Sequence, residues 1–171
     1  MGKIISLVNQ KGGVGKTTTS INLAASLGLL DKKVLLVDLD PQGNSTTGVG
    51  VEKGALKASI YDALNKSKET NEVIKKTKFK NLDLMPANIN LAGLDIEFIN
   101  MQKEDPTFVK GAQLKRVLES VKDNSDFKEF VKFSDKFIID TDNKTSGLRP
   151  LWEKGDKNAK IFGTCFVKKV L

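Results

Sequence analysis

The chain has 171 residues, of which 39% are hydrophobic and 29% charged, with a net charge of +7. That length suits one domain with a substantial core, and no apolar run approaches the roughly 20 residues needed to span a bilayer. With no histidine and Cys165 as the only cysteine, an intramolecular disulfide is excluded, a His/Cys metal centre is argued against, and a reducing cytoplasm fits.

The positive charge is spread along the chain. Residues 1–100 carry 13 Lys and Arg against 10 Asp and Glu, and residues 101–171 carry 15 against 11. Taken alone, this is a lysine-rich solvated surface that permits weak, salt-sensitive attraction to nucleic acid. The N-terminal Met1-Gly2-Lys3 runs straight into a predicted strand, so no signal peptide is expected there.

Lys3-Ile4-Ile5-Ser6-Leu7-Val8-Asn9 is short, apolar and β-branched, and predicts a buried strand. Lys11-Gly12-Gly13-Val14-Gly15-Lys16-Thr17-Thr18 follows, and residues 17–30 carry apolar side chains at Ile21, Leu23, Ala24, Ala25, Leu27 and Leu29, which predicts a largely buried helix. Strand, glycine-rich turn and helix together form the setting of a phosphate-binding loop. Glycines let backbone N–H groups turn toward phosphate oxygens, and the helix N-terminus adds its partial positive charge. In that setting Lys16 would reach the β- and γ-phosphates and Thr17 would offer its hydroxyl to Mg²⁺. An exposed lysine at Lys11 could otherwise be a simple solvated charge.

Lys33-Val34-Leu35-Leu36-Val37-Asp38 predicts a second strand, and the alternation implies a parallel sheet with right-handed crossovers. Its end, Asp38-Leu39-Asp40-Pro41-Gln42-Gly43-Asn44, is a loop at the carboxyl edge where open α/β sheets bind ligands. Asp38 and Asp40, two apart, can face one side of an extended segment; alternatively both cap a turn. Asp38 is read as a partner for a P-loop lysine or for a metal's water shell. Residues 45–53 are read as a loop. Residues 59–65 are read as a short helix with Ser59 and Asp62 as a capping box, and residues 72–76 as a helical piece. Residues 81–86 are read as a third strand, residues 91–101 as a helix, and residues 113–122 as an amphipathic helix with Leu114, Val117, Leu118 and Val121 on one face. Lys115, Arg116 and Lys122 then fall on other faces, where a solvated side is the simpler reading than a basic face for a partner.

A strict Walker A pattern would place its first glycine where Gln10 stands. The form K-G-G-V-G-K-T-T, followed by D-L-D-P-Q-G-N and then P-A-N-I-N-L, resembles the ParA/MinD group of deviant Walker ATPases, and most closely the ParA-type partition ATPases. The resemblance implies a single P-loop NTPase-like α/β domain over residues 1–171, with a mainly parallel sheet flanked by helices and incomplete on its C-terminal side. It implies ATP and Mg²⁺ as cofactors, bound by Lys11, Gly12, Gly13, Val14, Gly15, Lys16, Thr17 and Thr18. Lys11, Lys16 and Asp40 become the catalytic candidates. Lys11 would reach the partner's phosphates across a homodimer closed around ATP, and Asp40 would help position the attacking water and the Mg²⁺ shell, with Thr17 and Asp40 at the metal. A carboxylate there can orient water without being a strong base. The resemblance further implies slow ATP hydrolysis, a role in plasmid or chromosome partitioning, a ParB-like stimulating partner, non-specific DNA binding in the ATP-loaded state, and a cytoplasmic, nucleoid-associated location.

The resemblance covers residues 1–122 and returns at 136–140. Phe137-Ile138-Ile139-Asp140 is the Walker B candidate, whose carboxylate would hold Mg²⁺ through a water; an alternative alignment puts that strand at Asp126-Phe127. Relatives continue from the strand with Cys-Pro-Pro, where this chain has Thr141-Asp142-Asn143. Beyond it, residues 150–158 read as loop and residues 161–167 as a last strand. A truncated gene or a reduced relative is expected, which leaves an alternative function: a degenerate, non-hydrolysing nucleotide- or partner-binding fragment. Other branches fit less well. The C-terminus is too short for a MinD-like amphipathic membrane helix, so no membrane partner is expected. One cysteine is too few for an iron–sulfur relative, and Tyr61 is the only tyrosine for a kinase-type tail.

Overall fold

A computed structural model describes residues 2–9, 12–105, 110–121, 137–140 and 165–170. The apolar runs become strands β1 (Gly2–Val8), β2 (Val34–Asp38) and β4 (Leu82–Met85), joined by an edge strand β3 (Lys75–Lys76) and by β5 (Phe137–Asp140) and β6 (Cys165–Val170). They form one sheet in the order β3-β4-β2-β6-β1-β5. β2 pairs parallel with β4 and β1 pairs parallel with β5, whereas β6 runs antiparallel between β1 and β2. The sheet is therefore mixed, with β1, β2, β4 and β5 all pointing the same way.

Every residue of β2 is buried, as expected of a strand covered on both faces. Alternation divides its side chains between two cores. Leu35 and Val37 join Met85, Ile60, Val73, Phe98, Leu114 and Val117 on one side. Val34 and Leu36 join Leu82, Leu84, Val49 and Ala24 on the other. The first side is covered by α3 (Ile60–Leu64), α4 (Thr70–Val73), α5 (Leu94–Glu104) and α6 (Lys110–Ser120), the second by α1 (Lys16–Leu29).

The helix after the glycine loop forms as expected and packs Ala24, Ile21, Leu23 and Leu27 into the core, but it also buries Ser20 and Gly28 and leaves Leu29 out. Ser20, Ala24 and Gly28, spaced by four, are its buried residues, while Leu29 is 69% exposed. Small side chains let the helix lie close to the sheet, so the bulkier Ile21, Leu23 and Leu27 pack from its flanks. Residues 45–53, expected as loop, are loop only over 49–52: residues 45–48 belong to the short helix α2 (Asn44–Gly48) and Lys53 opens a 3₁₀ turn (Lys53–Ala55). Hydrogen bonds from Thr46 into the end of β2 hold α2 in place and override its poor helix propensity. The helical piece placed at 72–76 lies at α4, and Lys75–Lys76 pairs with β4 instead.

The capping box at α3 is present: the Ser59 N–H donates to Asp62 Oδ2 at 2.7 Å, and the Ser59 hydroxyl donates to the same oxygen at 3.1 Å. The helix expected over 91–101 begins later, because Asn88 caps a 3₁₀ turn (Ile89–Ala92) by accepting from the Asn90 N–H. On α6, Leu114, Val117 and Val121 face the core as the periodicity predicts. Arg116 is not simply solvated, since its guanidinium donates to the Ala63 carbonyl at 2.6 Å.

Candidate nucleotide site

The carboxyl ends of β1 and β2 lie level with each other. Leu7 and Asp38 are both Cα partners of Cys165, from opposite sides of β6. The chain leaving β1 enters the glycine loop and the chain leaving β2 enters the Asp38–Asn44 loop, so both sequence motifs emerge at one end of the sheet. Asp140 closes the same level from the other side, because β5 pairs in parallel with β1 and sets Asp140 opposite Val8. Side-chain positions on β5, and the whole of Lys11, lie outside the described residues.

Gly15 precedes α1 with φ 83°, a left-handed conformation that a β-carbon would strain. It provides no side chain to cap the helix, and the first turn carries no acidic residue. The helix dipole favours an anion at this end. A β-carbon built at Gly12 or Gly13 would meet none of the described residues within 4 Å. Gly12, Gly13 and Thr18 are exposed, while Val14, Gly15, Lys16 and Thr17 are half-buried. Ser20 bonds back to the Lys16 carbonyl at 2.8 Å, fixing the first turn beneath the loop. These groups fit a phosphate chain with its metal: N–H donors, a cation and a hydroxyl converge at one helix end. Among the described residues no three His, Cys, Asp or Glu side chains gather into a metal site of their own.

The aspartate loop is more constrained than its sequence suggests. Asp38 is buried, and its Oδ1 accepts the Asp40 N–H at 3.1 Å. Its Oδ2 accepts both the N–H and the hydroxyl of Thr46, each at 2.8 Å. Burial pushes the Asp38 carboxyl above its ordinary value, opposed by the Thr46 and Asp40 hydrogen bonds. Besides the pairing with a P-loop lysine or a metal's water shell expected of it, Asp38 thus anchors the loop through both of its oxygens. Asp40 is half-buried, and its Oδ1 accepts the Gln42 N–H at 2.9 Å in a tight local turn. Its carbonyl accepts the Gly43 N–H at 2.8 Å, and Lys53 Nζ straps the loop by donating to the Gln42 carbonyl at 2.7 Å.

Thr46, Lys53 and Ala87 are the site-shaping residues that the sequence reading missed. A threonine in a Thr-Thr-Gly run carries no periodic signal, and its partners lie 8 and 41 positions away.

The comparisons agree with this geometry. Residues 2–131 match the family model described as an AAA domain. The sporulation initiation inhibitor protein Soj of Bacillus subtilis (strain 168) is 51% identical over 127 residues, covering 74% of this chain and 48% of Soj. The chromosome-partitioning ATPase Soj of Treponema pallidum is 45% identical over the same length, covering 74% and 47%. The chain spans about half the length of the curated relatives it matches. Among solved structures, a putative plasmid partition protein of Borrelia burgdorferi B31 bound to AMPPNP aligns with TM-score 0.58 and 31% identity, over 81% of this chain and 53% of that one. Cobyrinic acid a,c-diamide synthase from Mycobacterium smegmatis, with bound ADP and magnesium, aligns with TM-score 0.65 and 34% identity, over 81% and 50%. Sequence motifs, fold and relatives agree, and the chain belongs to the ParA-type partition ATPase family of P-loop proteins.

Proposed function

We propose that this chain binds Mg-ATP at the α1 N-terminus, dimerises around it, and hydrolyses it slowly in plasmid or chromosome partitioning. The observation that carries this reading is the convergence of the α1 N-terminus and the Asp38–Asn44 loop at one sheet end. The N–H groups of the glycine loop and the helix dipole hold the phosphates, Lys16 neutralises their charge, and Thr17 offers its hydroxyl to magnesium. Magnesium, when bound, would spread the charge that develops on the transferring phosphoryl group. Asp40 orients the attacking water through its half-buried carboxylate, and Asp140, beside the end of β1, is the Walker B candidate. Lys11 reaches the second subunit's phosphates, so the full site needs two copies. Such a site works by positioning and electrostatics, which suits a slow timer.

Cytoplasmic, nucleoid-bound action, with a ParB-like partner stimulating hydrolysis, belongs to the same proposal. Its DNA component has support in a surface that the linear charge count does not reveal. Lys32, Lys33, Lys76, Lys78 and Lys80 lie in or beside the segments that lead into β2 and β4, at the end of the sheet opposite the glycine loop. Lys33 and Lys76 line one recess of about 270 Å³. Asp83 pairs with Lys76 at 2.9 Å and Asp31 with Lys80 at 2.7 Å, leaving the cluster net positive.

Phosphate release from ATP, measured with and without magnesium and with Asp40→Ala, tests the enzymatic part. Magnesium-dependent release lost in the variant supports it. Nucleotide binding with no release in the parent chain would favour the non-hydrolysing alternative.

A further inference from the structure

One hydrogen-bonded chain crosses the base of the site and serves no role assigned above. The Ala87 N–H donates to Thr46 Oγ1 at 3.0 Å, and that hydroxyl donates to Asp38 Oδ2 at 2.8 Å. Asp38 in turn accepts the Asp40 N–H through its other oxygen. Asp38, Thr46 and Ala87 are all buried, Thr46 and Ala87 with no exposed surface. A hydroxyl can accept once and donate once in this line, so its rotor is fixed by both neighbours. The line joins three separate segments: the end of β2, the helix α2 and the end of β4.

The contacts around the line fix it at both ends. The Pro86 carbonyl accepts the Ile60 N–H at 2.8 Å, which ties the end of β4 to α3. A β-carbon at Gly43 would lie 3.0 Å from the Ala87 carbonyl, so the far side of the Asp40 turn passes close to the same residue without touching it through a side chain. Asp40 therefore sits in a turn that is bonded to Ala87 through Asp38 and Thr46 and that passes close to the same residue at Gly43. Removing the Thr46 hydroxyl would leave a buried N–H without its acceptor and would take one donor from Asp38, with no solvent to replace either.

We propose that Thr46 is a positioning residue, whose hydroxyl couples the Asp40 loop to the end of β4 and so holds Asp40 ready for the attacking water. The consequence for turnover rests on the ATPase reading; the coupling itself does not. Thr46 need touch neither nucleotide nor water, because it acts only through Asp38. A group of this kind sets the rate of a positioned step more than the strength of ground-state binding.

The test compares the parent chain with Thr46→Val and Thr46→Ser by amide hydrogen exchange in nucleotide-free protein, and by steady-state turnover of Mg-ATP. Thr46→Val should exchange the Asp40 and Ala87 amides about tenfold faster, while amides of β2 remain protected. It should lower kcat about tenfold and move KM for ATP by less than about threefold. Thr46→Ser, which keeps the hydroxyl, should restore both readouts. Parental exchange in Thr46→Val overturns the coupling, as does a Thr46→Ser variant as impaired as Thr46→Val. If Thr46→Val fails to fold, Thr46→Ser and Asp38→Asn decide. The serine variant should keep the Ala87 amide protected and the asparagine variant should expose the Asp40 amide, and the reverse pattern overturns the proposal. Faster exchange in Thr46→Val together with no turnover by the parent chain would refute the ATPase reading while sustaining the coupling.

Discussion

Thr46 donates to Asp38 twice, through its N–H and through its hydroxyl, each at 2.8 Å to the same carboxylate oxygen. The pair turns an apparently loose Thr/Gly-rich stretch into a buried brace under the aspartate loop. It also sets the ionisation of Asp38, because burial raises the carboxyl's pKa and these donors lower it, with burial the larger effect.

A pH dependence follows from that sign. A carboxyl with a raised folded-state pKa binds its proton more tightly in the folded chain than in the unfolded one. Its contribution to stability is full below the ordinary carboxylate range and is lost as pH rises through the raised value. Urea unfolding of metal-free protein should therefore show Asp38→Asn gaining on the parent chain as pH rises above the ordinary carboxylate range. A difference that stays constant over that rise would show that Asp38 titrates normally.

Gly28 predicts a packing effect independent of the site. A β-carbon there would collide with the Lys80 carbonyl, a backbone atom that cannot swing away. The Gly28 carbonyl also accepts from the Asn81 side chain at 3.2 Å, which docks the end of α1 on the turn before β4. Although alanine favours helices, Gly28→Ala should destabilise the fold by about 1–3 kcal/mol, read as a lower urea midpoint. An unchanged or raised midpoint would mean that α1 can shift outward freely.

Much of this architecture was legible in the residues, and the failures share a cause. Lys3 to Asn9 and Lys33 to Asp38 read as strands because apolar, β-branched runs have few other homes, and Ser59 with Asp62 read as a cap because that signal is local. Helix α2 was missed because what holds it is Thr46 reaching Asp38 and Ala87, contacts that no local pattern encodes. The burial of Ser20 and Gly28, with Leu29 left exposed, was missed for a similar reason: the helix–sheet distance, which favours small residues, appears only in three dimensions. In the site, the glycine loop and Asp40 were visible from spacing and resemblance, but Asp38's partners were not. The lysine cluster was hidden because Lys32 and Lys33 lie more than forty positions from Lys76 to Lys80 and meet only through the pairing of β2 with β4.

That cluster makes the DNA proposal testable. Replacing Lys33 and Lys78 together by glutamate should weaken binding of the ATP-loaded chain to duplex DNA of any sequence. It should also flatten the dependence of log K on log salt by about one unit for each phosphate that is no longer neutralised. The same variants should bind Mg-ATP normally, since the cluster lies at the opposite end of the sheet. DNA binding that is unaffected would place the DNA-binding surface elsewhere.

Lys11 carries the prediction about assembly. Lys11→Ala should still bind Mg-ATP as a monomer but should lose the ATP-dependent shift to dimer in sedimentation analysis. Dimerisation that survives the change would assign the subunit contact to other residues.

The central claim, that the glycine loop at the head of α1 is a nucleotide site, is tested most directly by titrating Mg-ATP into the chain in a calorimeter, alongside Lys16→Ala. Saturable binding by the parent chain is predicted. The variant should bind more weakly by about 1.5–3 kcal/mol, the range for a hydrogen bond to a charged group. No binding by the correctly folded parent chain, or equal binding by both, would contradict the claim.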